Sequence, residues 1–259
     1  MRLEGLAGRG VLVTGAGSSV GRVIAEAFAA EGAKVHIADV NAEFVRRTLG
    51  EAPQLSGSVC DLGRAEQVEA LIAAATGAVG TVDFLVNCVG IAGPAGPVEA
   101  IAPADWRQVF EVNVHGIFET MRRVIPGMKQ RRFGAIVNFS TANTKTGLPG
   151  RAAYVAGKAA VEALTYTAAR ELGPHNVRCN AILPGPINNE RMNRVITSSA
   201  QQRGLSPAEV EQALVRHISM RARVEPRELS DMVLYLCSDS GRHITGQMLE
   251  VSGNLEWEE

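Results

Sequence analysis

The run Gly10-Val-Leu-Val-Thr-Gly-Ala-Gly-Ser-Ser-Val-Gly21 decides the fold. Gly10 to Thr14 is a short apolar stretch, the pattern of a strand buried on both faces. It ends in glycines, and Arg22 to Glu31 then reads as a helix. A strand that passes through a Gly-rich turn into a helix N-terminus can hold a pyrophosphate. Backbone N–H groups and the helix dipole face the anion, and glycine lets the backbone approach closely. The spacing is G-x-G-x-x-x-G, one residue longer than the usual dinucleotide fingerprint, so the turn alone is a weak signal. Gly15, Ser18, Ser19, Val20 and Gly21 are the candidate phosphate-holding residues.

Outward from this turn, Lys34-Val-His-Ile-Ala-Asp39 reads as a second strand, with Asp39 lying 18 residues beyond Gly21. An acidic residue at that point can bind both ribose hydroxyls of an adenosine and repel a 2′-phosphate. No Arg or Lys follows it in Val40-Asn41-Ala42; an ordinary helix cap is the competing role. Gly57 to Asp61 reads as a third strand, with Asp61 and Leu62 near the adenine edge. Strand, helix, strand, helix, strand is half of a doubly wound sheet.

The second half repeats the rhythm. Asp83 to Asn87 is a strand ending in Cys88-Val-Gly90, and Pro103 opens a helix carrying Trp106, Val109, Phe110, Val114, Ile117 and Phe118. Apolar residues on more than one side of that helix predict burial by a partner subunit as well as by the sheet. Asn113 inside it is either a satisfied buried amide or a residue beside a cofactor. Gly134 to Thr141 is the fifth strand, followed by a loop to Gly150. Asn176 to Leu183 is the sixth strand, ending at Pro184-Gly185-Pro186. From 187 to 220 the composition turns polar, and Ser206-Pro207-Ala-Glu209 reads as a capping box. Such an insertion after a strand's carboxyl end suits a lid over a crevice. Arg191, Arg194, Arg203, Arg216 and His217 lean it positive, either as a solvated face or as a sign of an anionic substrate. A helix from Pro226 to Ser238 and a strand from Gly246 to Val251 complete an α/β doubly wound domain spanning 1–259, with 187–220 as its lid.

Chemistry concentrates in Arg151-Ala-Ala-Tyr154-Val-Ala-Gly-Lys158. In an Ala-rich helix, residues four apart share a face, and an ammonium beside a phenol lowers its pKa toward the working range. A surface Tyr over a Lys would show the same spacing. The helix runs to about Leu172, where Gly173-Pro174 stops it.

Composition limits the alternatives. Of 259 residues, 46% are apolar and 20% charged, and the net charge of −1 gives no reason to expect nucleic acid or an acidic membrane as partner. Residues 1–8 lack a run of signal-peptide length and no later stretch would span a bilayer, so a soluble, cytoplasmic protein is expected. Cys60, Cys88, Cys179 and Cys237 stand singly beside apolar residues, the pattern of buried reduced thiols. The histidines make no zinc-like spacing, so no metal site is expected.

As an ordered set, Thr14-Gly15 with Gly21, Asp39, Asp61, Asn87-x-x-Gly90, Asn113, Tyr154-x-x-x-Lys158, Asn180, Pro184-Gly185 and Ile244-Thr-Gly-Gln247 resembles the short-chain dehydrogenase/reductase family over essentially the whole chain. The resemblance implies a Rossmann-like domain with a seven-stranded parallel sheet, a nicotinamide dinucleotide, and a homo-oligomer, dimer or tetramer. It makes Asp39 the residue that selects NAD. It implies Tyr154 as general acid/base, Lys158 as the residue that lowers its pKa and holds the nicotinamide ribose, and Asn113 as the amide anchoring a water in a proton relay. The family's carbonyl-orienting hydroxyl lies 13 residues before the tyrosine, at Thr141 here in place of serine, with Ser140 as fallback. Asn87, Gly90, Pro184, Gly185, Ile187 and Asn189 complete the implied cofactor set. Ser19 stands where the family has its middle phosphate-loop glycine, and Ile187-Asn188-Asn189 replaces the usual threonine after Pro-Gly. Asn143, Leu148, Asn188, Arg191 and Met192, with Thr141, are expected around an alcohol or ketone substrate. The implied reaction is NAD-dependent oxidation of a secondary alcohol. An NADPH-dependent carbonyl reductase and a non-catalytic nucleotide sensor are the rivals.

Overall fold

A computed structural model describes residues 3–256; the first two residues of the N-terminal stretch lie outside that range. The chain lays down β1 (Gly10–Thr14), α1 (Ser19–Ala30), β2 (Lys34–Asp39), α2 (Ala42–Glu51), β3 (Ser56–Val59), α3 (Ala65–Val79) and β4 (Phe84–Asn87). Then come α4 (Pro103–Phe110), α5 (Gly116–Arg131), β5 (Gly134–Phe139), a one-turn α6 (Asn143–Thr146), α7 (Ala152–Leu172) and β6 (Val177–Pro184). Helices α8 (Glu190–Arg203), α9 (Pro207–Val215) and α10 (Pro226–Cys237) precede β7 (Met248–Val251). All strands are parallel, in the order β3-β2-β1-β4-β5-β6-β7.

The period-2 geometry of a strand divides the core in two. Val11 and Val13 of β1 point to one face, where Ile24 and Phe28 of α1 and Leu229, Val233 and Leu236 of α10 cover them. Leu12 and Leu85 point to the other, beneath Val68 and Leu71 of α3, Ile117 and Met121 of α5, and Val161 of α7. Because both faces are covered, the central strands are apolar throughout, and β1, β4 and β5 are buried along their whole length. Edge strand β3, with two serines in four residues, is only partly covered.

The structure refines three expectations. The helix opened by Pro103 is not regular through Phe118: a π-helical turn, Glu111–His115, separates α4 from α5 and contains Asn113. Strand β3 stops at Val59, so Asp61 lies in the turn beyond it. Strand β5 stops at Phe139, although the Ser140 N–H still donates to the Ile182 carbonyl at 2.8 Å. The capping box at Ser206 and Glu209 forms as the sequence predicts. Helices α8 and α9 pack on each other through Ile196, Ala200 and Val210, a cluster separate from the sheet's two. Among the described residues no helix is long and apolar enough to cross a membrane.

Candidate active site

Strand order reverses between β1 and β4, and at such a switch point loops leaving neighbouring strands diverge and open a crevice. Here the crevice has a volume of about 1850 Å³ and runs from the turn after β1 to α8 and α9. Of the candidate catalytic, cofactor-binding and substrate residues, all but Asn87 and Asn113 line it.

The phosphate end is built by close backbone approach. Gly15 has φ +64°, and a Cβ there would stand 2.9 Å from the Val89 Cα. A Cβ on Gly21 would stand 2.3 Å from the Gly15 carbonyl oxygen. Only glycine lets α1 begin this near the turn, with its free N–H groups facing the crevice. Asp39 ties the turn to β2: its carboxylate accepts from the Gly17 and Asn41 N–H groups, both at 3.0 Å. Each carboxylate oxygen keeps a further lone pair for a ribose hydroxyl. Asp61 accepts from the Gly63 N–H at 3.0 Å and pairs with Arg64 at 3.6 Å. Arg47, whose guanidinium lies 5.3 Å from the centre of the Phe44 ring, also lines this end. Sequence reading missed it because it lies on α2, beyond the residues directly after Asp39.

In the middle of the crevice two of the candidate side chains, Asn87 and Asn113, are buried. Asn87 is fully buried between strands. Its amide donates to Asn138 Oδ1 at 2.9 Å and its carbonyl oxygen accepts from the Thr120 hydroxyl at 2.9 Å. It therefore stabilises the sheet and does not face a cofactor. Asn113 spends both ends of its amide on one peptide: Oδ1 accepts from the Ile91 N–H at 2.8 Å and Nδ2 donates to the Ile91 carbonyl at 2.9 Å. That clamp fixes the loop after β4 and uses one lone pair of Oδ1 and one N–H of Nδ2.

Lys158 is buried, and its ammonium donates to the Phe139 carbonyl at 2.7 Å and the Val89 carbonyl at 3.3 Å. Burial lowers its pKa to about 8, with the Cys88 thiol opposing that change and Arg191 adding to it. A Cβ on Gly90 would lie 3.0 Å from the Lys158 Nζ, so the glycine keeps the ammonium's place open.

Tyr154, on the first turn of α7, lines the crevice with Thr141. Thr141 Oγ1 accepts from the Asn143 backbone and side-chain N–H groups at 3.4 and 3.2 Å. With its lone pairs so occupied, its own proton points to the phenol and to any oxygen that joins them. Ser140 instead donates to Glu162 and to the Lys158 carbonyl, on the α7 side. Burial raises the Tyr154 pKa; Thr141, then Arg191 and Arg151, pull it back, while Cys88 opposes them. The Lys158 ammonium is turned toward the two backbone carbonyls and is not among those influences.

At the far end, Asn143, Leu148, Arg191 and Met192 line the crevice. Asn188 lines it too, but its amide donates outward to Glu225 at 2.7 Å. Asn189 caps α8, accepting from the Met192 N–H at 2.9 Å, and also reaches Ser19. Arg151 was missed in the sequence, although it lies three residues before Tyr154 and so shares its face of the helix.

The chain matches a family model described as enoyl-(acyl carrier protein) reductase over residues 15–255. It is 32% identical over 252 residues to the 7alpha-hydroxysteroid dehydrogenase of Escherichia coli (strain K12), covering 96% of this chain and 94% of that protein. An NAD+-bound xylitol dehydrogenase superimposes with a TM-score of 0.89 at 30% identity, covering 96% of this chain and 100% of that one. An actinorhodin polyketide ketoreductase with NADPH gives 0.91 at 30% identity, covering 98% of this chain and 99% of that one. Glycines that admit a pyrophosphate, a carboxylate at the ribose end, and Tyr154 beside Thr141 and Lys158 agree with this kinship. The chain belongs to the short-chain dehydrogenase/reductase family, and is an oxidoreductase that uses a nicotinamide dinucleotide to interconvert an alcohol and its carbonyl compound.

Proposed function

We propose that this enzyme prefers NAD and oxidises a secondary alcohol through Tyr154 as general base, with Thr141 holding the reacting oxygen. The observation that carries this reading is that Thr141 and Tyr154 line one crevice with Lys158, while Asn143 donates to Thr141 Oγ1 and leaves the threonine's own proton for the reacting oxygen. The dinucleotide supplies the hydride acceptor. Tyr154 takes the hydroxyl proton in oxidation and returns it in reduction. Lys158 has three N–H donors; two meet backbone carbonyls, and the third is left for a ribose hydroxyl. Its cation and that of the bound nicotinamide ring then bring the phenol's pKa down from the raised value that burial imposes.

Preference for NAD is supported by Asp39, whose carboxylate repels a 2′-phosphate. Arg47 favours the second reading, an NADPH-dependent reductase, because it brings a cation to the same end. Affinities for NAD and NADP in wild type and Asp39→Ala decide between them: the variant should lose the preference for NAD, and an unchanged ratio would count against Asp39. For the chemistry, Tyr154→Phe should lower turnover by roughly 10²–10⁴-fold while NADH affinity holds. Equal turnover would defeat the assignment.

The chain works as a single domain with 187–220 as its lid, and as a homo-oligomer. Trp106, Phe118 and Tyr166 support the latter: they are 37%, 47% and 55% exposed on α4, α5 and α7, more large apolar surface than one subunit covers. A cytoplasmic setting is supported by the four free thiols, which burial keeps protonated.

A further inference from the structure

Arg191 occupies an unfavourable place. It lies in the first turn of α8, where the helix dipole repels a cation, and no carboxylate pairs with it among the described residues. A cation set against a dipole without a counter-ion breaks a local rule, and such breaks mark sites kept for a ligand. The turn carrying it is also fixed. Asn188 donates to Glu225 at 2.7 Å, Asn189 donates to Ser19 at 3.0 Å, and Asn193 accepts from Arg223 at 2.8 Å. These ties reach two separate parts of the chain, the turn after β1 and the segment before α10, so the wall presenting Arg191 to the crevice is preorganised.

A second guanidinium arrives from another wall. Arg151 caps α7 and donates to the Gly93 carbonyl at 2.8 Å through one nitrogen, leaving its other donors unspent. It too has no carboxylate partner among the described residues. The carboxylates lining the crevice are Asp39 and Asp61 at the adenosine end, Glu111 facing His115 at 3.4 Å, and Glu190 beside Arg191 in the helix. Both arginines line the same crevice as Thr141, Tyr154 and Lys158, so both guanidinium groups share the space in which the reacting oxygen would sit.

We propose that the substrate is a hydroxy acid, and that Arg191 and Arg151 together receive its carboxylate while Thr141 and Tyr154 receive its secondary hydroxyl. This deepens the proposed dehydrogenase function and rests on it. A carboxylate fits better than a larger anion: one guanidinium offers a planar fork, and the second is already partly committed to Gly93. Leu148 and Met192 leave apolar wall for the carbon chain between the two polar ends.

The test uses the purified full-length enzyme in two arms. In the first, the enzyme–NADH complex is titrated with lactate, 3-hydroxybutyrate and gluconate, each beside its primary amide, and binding is read by nicotinamide fluorescence. In the second, dinucleotide reduction is followed with the same compounds and with cyclohexanol. At least one acid should bind and turn over about 10–100-fold better than its amide, the span expected for charge-assisted hydrogen bonds. Arg191→Gln should remove that advantage mainly through KM, and Arg191→Lys should restore part of it. Amides used as well as acids, acids inert while cyclohexanol is oxidised, or Arg191→Gln lowering both classes equally would each overturn the proposal. A wild-type protein that binds NADH but oxidises none of the alcohols, with no Arg191-dependent acid binding, overturns it too. Failure to bind dinucleotide at all would instead bring down the function on which it rests.

Discussion

The side-chain amide of Asn189 donates to the hydroxyl of Ser19 at 3.0 Å, joining the cap of α8 to the phosphate turn 170 residues away. Both lie where the chain departs from the family pattern, and the structure makes them one feature. Ser19 has φ +54°, a left-handed conformation that costs a residue with a Cβ about 1–2 kcal/mol. A glycine would avoid that cost but would offer no hydroxyl to the lid. The serine's strain is thus offset by a tether that draws α8 over the place where a pyrophosphate lies.

A double-mutant cycle tests that coupling. Ser19→Gly and Asn189→Thr should each speed NADH release by about 2–10-fold, the range for one net hydrogen bond. The double variant should release NADH no faster than the quicker single variant, because both remove the same bond. Ser19→Gly should also raise stability toward urea. Strictly multiplicative rates in stopped-flow displacement would show that the two residues act separately.

Asn87 gives the opposite kind of prediction. Its amide lies between Asn138 and Thr120, and Asn138 in turn donates to the Thr165 hydroxyl at 2.9 Å. Asn87→Ala would leave those buried groups short of partners at about 1–3 kcal/mol each. Urea unfolding should show a loss of roughly that size, whereas the NAD dissociation constant should stay within about twofold. A large loss of affinity in a stably folded variant would return Asn87 to the cofactor site.

Asn87 also shows where sequence reading reaches its limit. The strand run around Gly10, the glycines after it and the Tyr154 helix were legible because each signal is local: apolar period, turn residues, i,i+4 spacing. The use of Asn87 depends on which strand lies beside β4, and its partners are 33 and 51 residues away. Asn113 meets Ile91 only after the π turn has formed. The direction of the Tyr154 shift depends on burial and on an arginine from the lid, neither visible in a seven-residue motif. The capping box at Ser206 was legible, but the bond from Asn189 to Ser19 was not.

Gly90 makes a narrower test of the ammonium's position. A Cβ there would meet the Lys158 Nζ at 3.0 Å, close enough that the flexible lysine tip must give way. Gly90→Ala should therefore keep the fold and the affinity for adenosine nucleotides while lowering kcat by up to about 10²-fold, as small misplacements near reacting groups do. Unchanged kcat would mean that the ammonium's place is not critical.

Lys158 itself should leave a mark on stability as pH changes. Its pKa falls from 10.5 to about 8 because burial penalises the ammonium. Below pH 8 folded and unfolded chains both carry the proton, and the cost of burying the charge is present in full. Between about 8 and 10.5 the unfolded chain binds a proton that the folded one has released, so this group makes stability rise with pH in that window. Lys158→Met removes the titration and leaves the cysteines and tyrosines, which also titrate there, common to both proteins. Urea unfolding of the dinucleotide-free pair at pH 7.5 and pH 10 should therefore move the difference in favour of wild type by roughly 2–3 kcal/mol, somewhat below the full linkage limit. A difference that stays constant across the window would mean that the buried ammonium keeps its ordinary pKa, and that the carbonyls of Phe139 and Val89 compensate its desolvation completely.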